Sequence, residues 1–292
     1  MPTRLRPECI TCLLNQNLTN YPADAPNDKK LEYMQRLLKL VAEAPKHTSA
    51  PVLVRSINAI QKEMFGYEKD FTEIKRYFNQ LMLEKEEDIR QKLHSCEDPL
   101  KRAIQYAMTG NYIDFGTLNQ VNEDDLDRFL SEAEVNPVNE REYAALKSDL
   151  KDAGNILYIM DNCGEIVLDK LLIEELQRQY PKAEIVAMVR GGSVLNDATM
   201  EDAKQVGLTE MIRVIDNGSN IAGTCIEELP ARAKVAMDGA DVIFAKGQAN
   251  FETLRKCGKN VYYIFMCKCE MFAREFQVPK FTGMLVNDRN CV

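Results

Sequence analysis

Two rhythms of apolar and polar positions divide the chain. Through residues 1 to about 150, apolar side chains recur at i, i+3, i+4 and i+7. The stretches EYMQRLLKLVAEA, PVLVRSINAIQKEMFG and FTEIKRYFNQLMLEKEEDIRQKLH carry this spacing, which predicts amphipathic helices. Breaks rich in Pro, Gly and polar residues (PADAPNDKK, APKHTSAP, FGYEKD) separate them. The charged run LEKEEDIRQK reads as a solvated helix face. A further helix is expected to end at Gly110, and Asn111 and Asp114 follow it in a polar loop.

From about residue 154 short β-branched runs alternate with helical ones. NILYIMD precedes EIVLDKLLIEELQRQ, AEIVAMVR precedes TMEDAKQVG, and MIRVID precedes IEELPARAKVAMDG. DVIFAKG then precedes NFETLRKCG, and VYYIFMC precedes EMFAREFQV. Five βα units in succession predict a mostly parallel sheet covered by helices, a doubly wound α/β domain. The expected organisation is therefore an all-helical part over 1–150 and an α/β domain over 151–292.

Ligands of such sheets bind beyond the carboxyl ends of the strands, so the residues that close each strand carry the candidate chemistry. Asp161-Asn162 closes the first strand and Asp216-Asn217 the third; Arg190 closes the second and Lys246 the fourth. Alone, each is an ordinary turn former or helix cap. Together they would place hard oxygen ligands and anion-binding cations on one rim. A carboxylate, an amide oxygen and water suit Mg²⁺ or Mn²⁺, whereas Lys, Arg and helix N-termini suit phosphate. Asp197, in GGSVLNDAT, follows Asp161 by one βα unit and is the candidate third metal ligand, with a role as helix N-cap equally open.

Composition narrows the field. A net charge of -8 argues against a nucleic-acid surface. No apolar run spans a membrane and no signal-type h-region opens the chain, so the expected setting is cytoplasmic with no membrane partner. Nine scattered cysteines then read as reduced thiols. The two histidines, His47 and His94, lie far from any strand end, unlike the ligands of zinc hydrolases. No P-loop, GxGxxG or GxSxG stands at a strand–helix junction.

Taken in order, TGNYIDFG, DNCGE, VRGGSVLNDAT, VIDNGSNIAGT and ADVIFAKGQANFETL resemble the metal-dependent damage-control phosphatase family, domain of unknown function 89. The N-terminal ECITCLLNQ, with its CxxC, is similar to the stand-alone microbial branch. The resemblance implies a Rossmann-like α/β/α sandwich packed with an N-terminal helical domain, and hydrolysis of small phosphorylated metabolites with a bound divalent metal. It places the metal on Asp161, Asn162 and Asp197 and substrate phosphate on Lys246. It also brings Asn111 and Asp114, in a loop near 110–116, up to the site. Mn²⁺ or Mg²⁺ is the expected metal, with Co²⁺ and Ni²⁺ to be tried. Asp161 and Asp197 are alternative candidates for orienting water or acting as nucleophile. Arg190 is expected to join Lys246 on the phosphoryl oxygens, and Asp216 to meet substrate hydroxyls. A non-catalytic metal or phospho-ligand binder resting on Cys9 and Cys12, or on the same strand-end motifs, remains open. So does a methyltransferase, and the sequence is silent on oligomeric state.

Overall fold

The computed structural model describes residues 4–66, 69–110, 128 and 130–291. Its centre is one six-stranded sheet. The strands are β1 (Asn155–Ile159), β2 (Glu184–Val189), β3 (Arg213–Asp216), β4 (Val242–Lys246), β5 (Val261–Met266) and β6 (Gly283–Asn287). Their order is β3-β2-β1-β4-β5-β6. The first five run parallel, and β6 pairs antiparallel with β5. This is the mostly parallel, doubly wound α/β fold that the alternating pattern predicts. The sixth strand, GMLVN, is an addition that the pattern did not disclose.

Strand order reverses between β1 and β4, and in doubly wound sheets ligands bind beyond the carboxyl ends at such a switch point. Register keeps the ends level. Ile159 lies opposite both Met188 of β2 and Ala245 of β4, so the residues that follow these strands share one edge.

Both faces of the sheet are covered. Ile156 and Tyr158 enter a core shared with α4 (Thr72–Ser95), α5 (Pro99–Gly110), α6 (Glu140–Lys151) and α7 (Glu165–Gln179). Leu157 and Ile159 point the other way, into a core built with α10 (Ala231–Gly239), α11 (Gly247–Leu254) and α12 (Glu270–Phe276). Alternation with period two sends neighbours to opposite faces, and both faces are apolar because both are buried. Short helices α8 (Met200–Gln205) and α9 (Leu208–Met211) connect β2 to β3.

Packing divides the molecule elsewhere than at residue 150, where the element type changes. Helices α4 to α6 share the core of the sheet, so they form a layer of the α/β body. Among the described residues, α1 (Pro7–Asn17), α2 (Asn27–Glu43) and α3 (Ala50–Phe65) make a small core of their own, around Leu13, Tyr33, Leu37, Leu53 and Ile57. Ion pairs dock that unit: Arg55 forks onto Glu228 (2.6 and 2.8 Å), and Arg6 meets Glu275 at 3.1 Å. Among the described residues no helix is long and apolar enough to cross a membrane.

Candidate functional site

The loop after β2 folds back on the end of β1. The Ala198 N–H donates to the Asp161 carbonyl (2.7 Å), the Cys163 N–H donates to the Asn196 carbonyl (2.9 Å), and Asn162 bridges to Asp197. Asp161, Asn162 and Asp197 are thereby gathered at the mouth of the first strand, and all three are buried. Leu195, two residues before Asp197, holds a left-handed φ of 46° in this tight return.

The guanidinium of Arg190 lies between the two aspartates. Its Nε donates to Asp197 Oδ2 at 2.6 Å and its Nη2 to Asp161 Oδ1 at 3.3 Å. Nη1 reaches Asn250 Oδ1 at 3.3 Å. Asn250 in turn donates to the carbonyls of Met160 and Lys246, tying β1 to β4. Arg190, 2% exposed, thus bridges the two candidate carboxylate ligands from within the protein.

Lys246 takes a direction that its position did not disclose. Its backbone stands at the rim, but its ammonium turns under the sheet edge toward α7, with 0% exposure. There it pairs with Glu165, with Asp169 Oδ1 (2.8 Å) and with the Ala107 carbonyl (2.8 Å). That carbonyl is one of the last four of α5, which lack partners within the helix and carry its partial negative charge. Burial pulls the ammonium pKa down, but Asp169 and Glu165 outweigh it and hold the lysine charged. The expectation of Lys246 on substrate phosphate is not what this geometry presents.

Asp216 also stands apart. It ends β3, the edge strand two spacings, about 10 Å, from β1. Its carboxylate accepts from the Gly218 N–H (3.0 Å) and pairs with Arg232 at the surface. The amides of Gly191 and Gly192, which follow Arg190, donate to the Ser219 carbonyl at 3.0 and 3.1 Å. Asn111 and Asp114 lie outside the described residues. Gly110, just before them, abuts Glu165: a Cβ there would sit 3.0 Å from its Cγ.

Electrostatics follow from this crowding. Burial raises the Asp161 pKa well above the usual carboxylate range, and Asp197 and Glu165 add repulsion against Arg190 and Lys268. Burial pushes Asp169 up to about 7 against the pull of Lys246. Lys268, half-buried after β5, is a cation whose charge reaches Asp161. The sequence assigns it no role beyond standing at the fifth strand end between Cys267 and Cys269, although that position was the available signal. Among the described residues no three His, Cys, Asp or Glu side chains form a metal-ligand group. The candidate set rests on two carboxylates and the Asn162 amide.

A doubly wound sheet with buried carboxylates, an amide and cations at its switch point defines a class of small-ligand site, not yet a family. The family comes from comparison. The model of the damage-control phosphatase ARMT1-like domain matches residues 5–283, and the chain belongs to that family. It is 32% identical to damage-control phosphatase PH1575 of Pyrococcus horikoshii, covering 97% of each chain. It is 28% identical to a damage-control phosphatase of Archaeoglobus fulgidus over 94% of this chain and 96% of that one. The crystal structure of the Pyrococcus horikoshii DUF89 family protein superposes with a TM-score of 0.83 at 29% identity, covering 98% of this chain and 99% of that one.

Proposed function

We propose that the chain is a phosphomonoester hydrolase for small phosphorylated metabolites, such as sugar phosphates or damaged phospho-metabolites. In this reading a divalent cation is held by Asp161, Asn162 and Asp197. Family membership and the names of two relatives support phosphatase chemistry. One observation carries the metal reading. The carboxylates of Asp161, Glu165, Asp169 and Asp197 are all buried, and the buried cations that pair with them are Arg190, on Asp161 and Asp197, and Lys246, on Glu165 and Asp169. Fully ionised, that group has two negative charges in excess, which a divalent cation offsets. Two carboxylates and an amide are hard oxygen ligands suited to Mn²⁺ or Mg²⁺.

When bound, such a cation supplies Lewis acidity at a phosphoryl oxygen. The chain's own residues do the rest. Arg190 keeps the Asp161 and Asp197 carboxylates apart and oriented. One of these two aspartates orients the attacking water or attacks phosphorus itself. Lys268, at the end of β5, and the N-terminus of α11 offset charge on the phosphoryl oxygens.

A screen of phosphorylated metabolites against metal-stripped protein, with Mn²⁺, Mg²⁺, Co²⁺ and Ni²⁺ added in turn, tests the proposal. Phosphate release should need added metal and stop with EDTA. Full activity without metal would overturn the metal reading. Tight binding of phosphorylated ligands with no release from any would leave a binding protein instead.

A further inference from the structure

Asn162 differs from its two neighbours in the candidate metal set. A carboxylate offers oxygen from either end, whereas an amide offers a cation its oxygen alone. Which end faces which way is decided by what surrounds it. Asn162 Nδ2 donates to Asp161 Oδ2 at 2.8 Å and to Glu165 Oε2 at 3.1 Å. Rotated by half a turn, the amide would set Oδ1 against two carboxylate oxygens. Both partners therefore drive the oxygen to the opposite side.

Glu165 is itself held. Its Oε1 takes the Lys246 ammonium, which also reaches Asp169 Oδ1 and the Ala107 carbonyl. Asp169 Oδ1 accepts from the Tyr158 hydroxyl at 2.7 Å. Gly110, on the same helix as Ala107, leaves no room for a Cβ beside the Glu165 side chain. Glu165, Lys246 and Asp169 are each 0% exposed, so no solvent can replace a lost partner.

We infer that Lys246, Glu165 and Asp169 form a buried positioning unit that fixes the Asn162 amide with its oxygen toward the cation. Lys246 acts through this unit and is not a ligand of the substrate phosphate. The inference rests on the metal reading above. It makes Glu165 and Lys246 positioning residues, since each acts on the site through another side chain.

The test is Mn²⁺ binding to metal-stripped protein without substrate, read from the electron paramagnetic resonance of free Mn²⁺. In Glu165→Gln the Lys246 ammonium claims the single oxygen of the introduced amide. Its nitrogen then faces Asn162 Nδ2 and favours the wrong rotamer. Mn²⁺ binding should weaken by about 10–100-fold, the scale for removing an outer partner of a metal ligand. Asn162→Asp removes the need for orientation, because a carboxylate presents oxygen either way. In that background Glu165→Gln should leave Mn²⁺ binding unchanged or strengthen it. Equal weakening in both backgrounds would mean a merely structural role and overturn the inference, as would wild-type affinity in Glu165→Gln. Glu165→Asp keeps the charge but shortens the reach, and serves where the glutamine variant does not fold; it too should weaken Mn²⁺ binding. Wild-type protein that binds no Mn²⁺ would instead sink the metal reading, and the inference with it.

Discussion

Gly247 separates the cost of a backbone conformation from the cost of moving a candidate catalytic group. Its φ is +79°, and a Cβ built there would lie 1.9 Å from Asp161 Oδ2. Gly258 provides the control, with φ +80° and nothing within 4 Å of a Cβ. An alanine in the left-handed region costs roughly 1–2 kcal/mol. Gly258→Ala should lose that amount, a drop of a few degrees in Tm for a chain of this size, with turnover per folded molecule unchanged. Gly247→Ala carries the same backbone cost and adds a collision. To reach the 3.4 Å at which ordinary contact begins, the Asp161 oxygen must retreat by about 1.5 Å. Retreat breaks the 2.8 Å bond from Asn162 and disturbs the Arg190 contact at 3.3 Å. Misplacement of about 1 Å can cost on the order of 10² in rate, so kcat/KM should fall at least that far. The assay is phosphate release per folded molecule beside thermal melts of both variants. Wild-type turnover in Gly247→Ala would remove Asp161 from the chemistry. Equal loss of turnover in Gly258→Ala would show that the effect is global.

Lys246→Ala should destabilise the fold by about 3–5 kcal/mol, the scale for removing one partner of a buried ion pair; an unchanged melting temperature would refute the buried pairing. Asp169→Asn should flatten the pH dependence of stability. Its folded pKa of about 7 lies above the ordinary 3.8, so its contribution is complete below about pH 4 and lost as pH rises through 7. Because Asp169 Oδ2 has no hydrogen-bond partner, the amide should fit, and melts at pH 5 and pH 8 should differ less than in wild type. Replacing both Cys9, which packs on the second core, and Cys12, which is exposed, by Ser should lower the melting temperature by the equivalent of about 1 kcal/mol while sparing turnover per folded molecule. Preserved stability with lost turnover would make the thiols catalytic.

The backbone of the site was legible because strand ends have a signature. NILYIMDN and DVIFAKG each show an apolar run stopping at a polar residue, and β1 and β4 end within two residues of those stops. Asp197 was legible through its spacing from Asp161. What a side chain reaches was not. Lys246 and Asp216 both stand at strand ends, yet one turns under the edge into carboxylates and the other pairs outward with Arg232. An amphipathic stripe likewise does not name its partner, so α4 to α6 read as a separate helical domain when they cover the sheet. The strand GMLVN, at the end of the chain and outside the βα alternation, had too few positions to declare a period.

Glu165 and Asp169 join these threads. In sequence they are acids in the first two turns of α7, and Glu165, in the first, is an unremarkable choice beside a helix dipole. In the fold they meet a lysine from β4 and a carbonyl from the end of α5, so three elements converge on one ammonium. A protein selected for stability alone would gain little from that arrangement, since an apolar core of the same shape is often as stable. Two carboxylates on one ammonium, beside two more on one guanidinium, leave the strand ends with less positive charge than negative. Burial, with repulsion from the neighbouring carboxylates, raises the Asp161 and Asp169 pKa values and disfavours their ionised state. On the proposed metal reading, the cost to the fold and the attraction for a cation have the same origin, concentrated where β1 and β4 part.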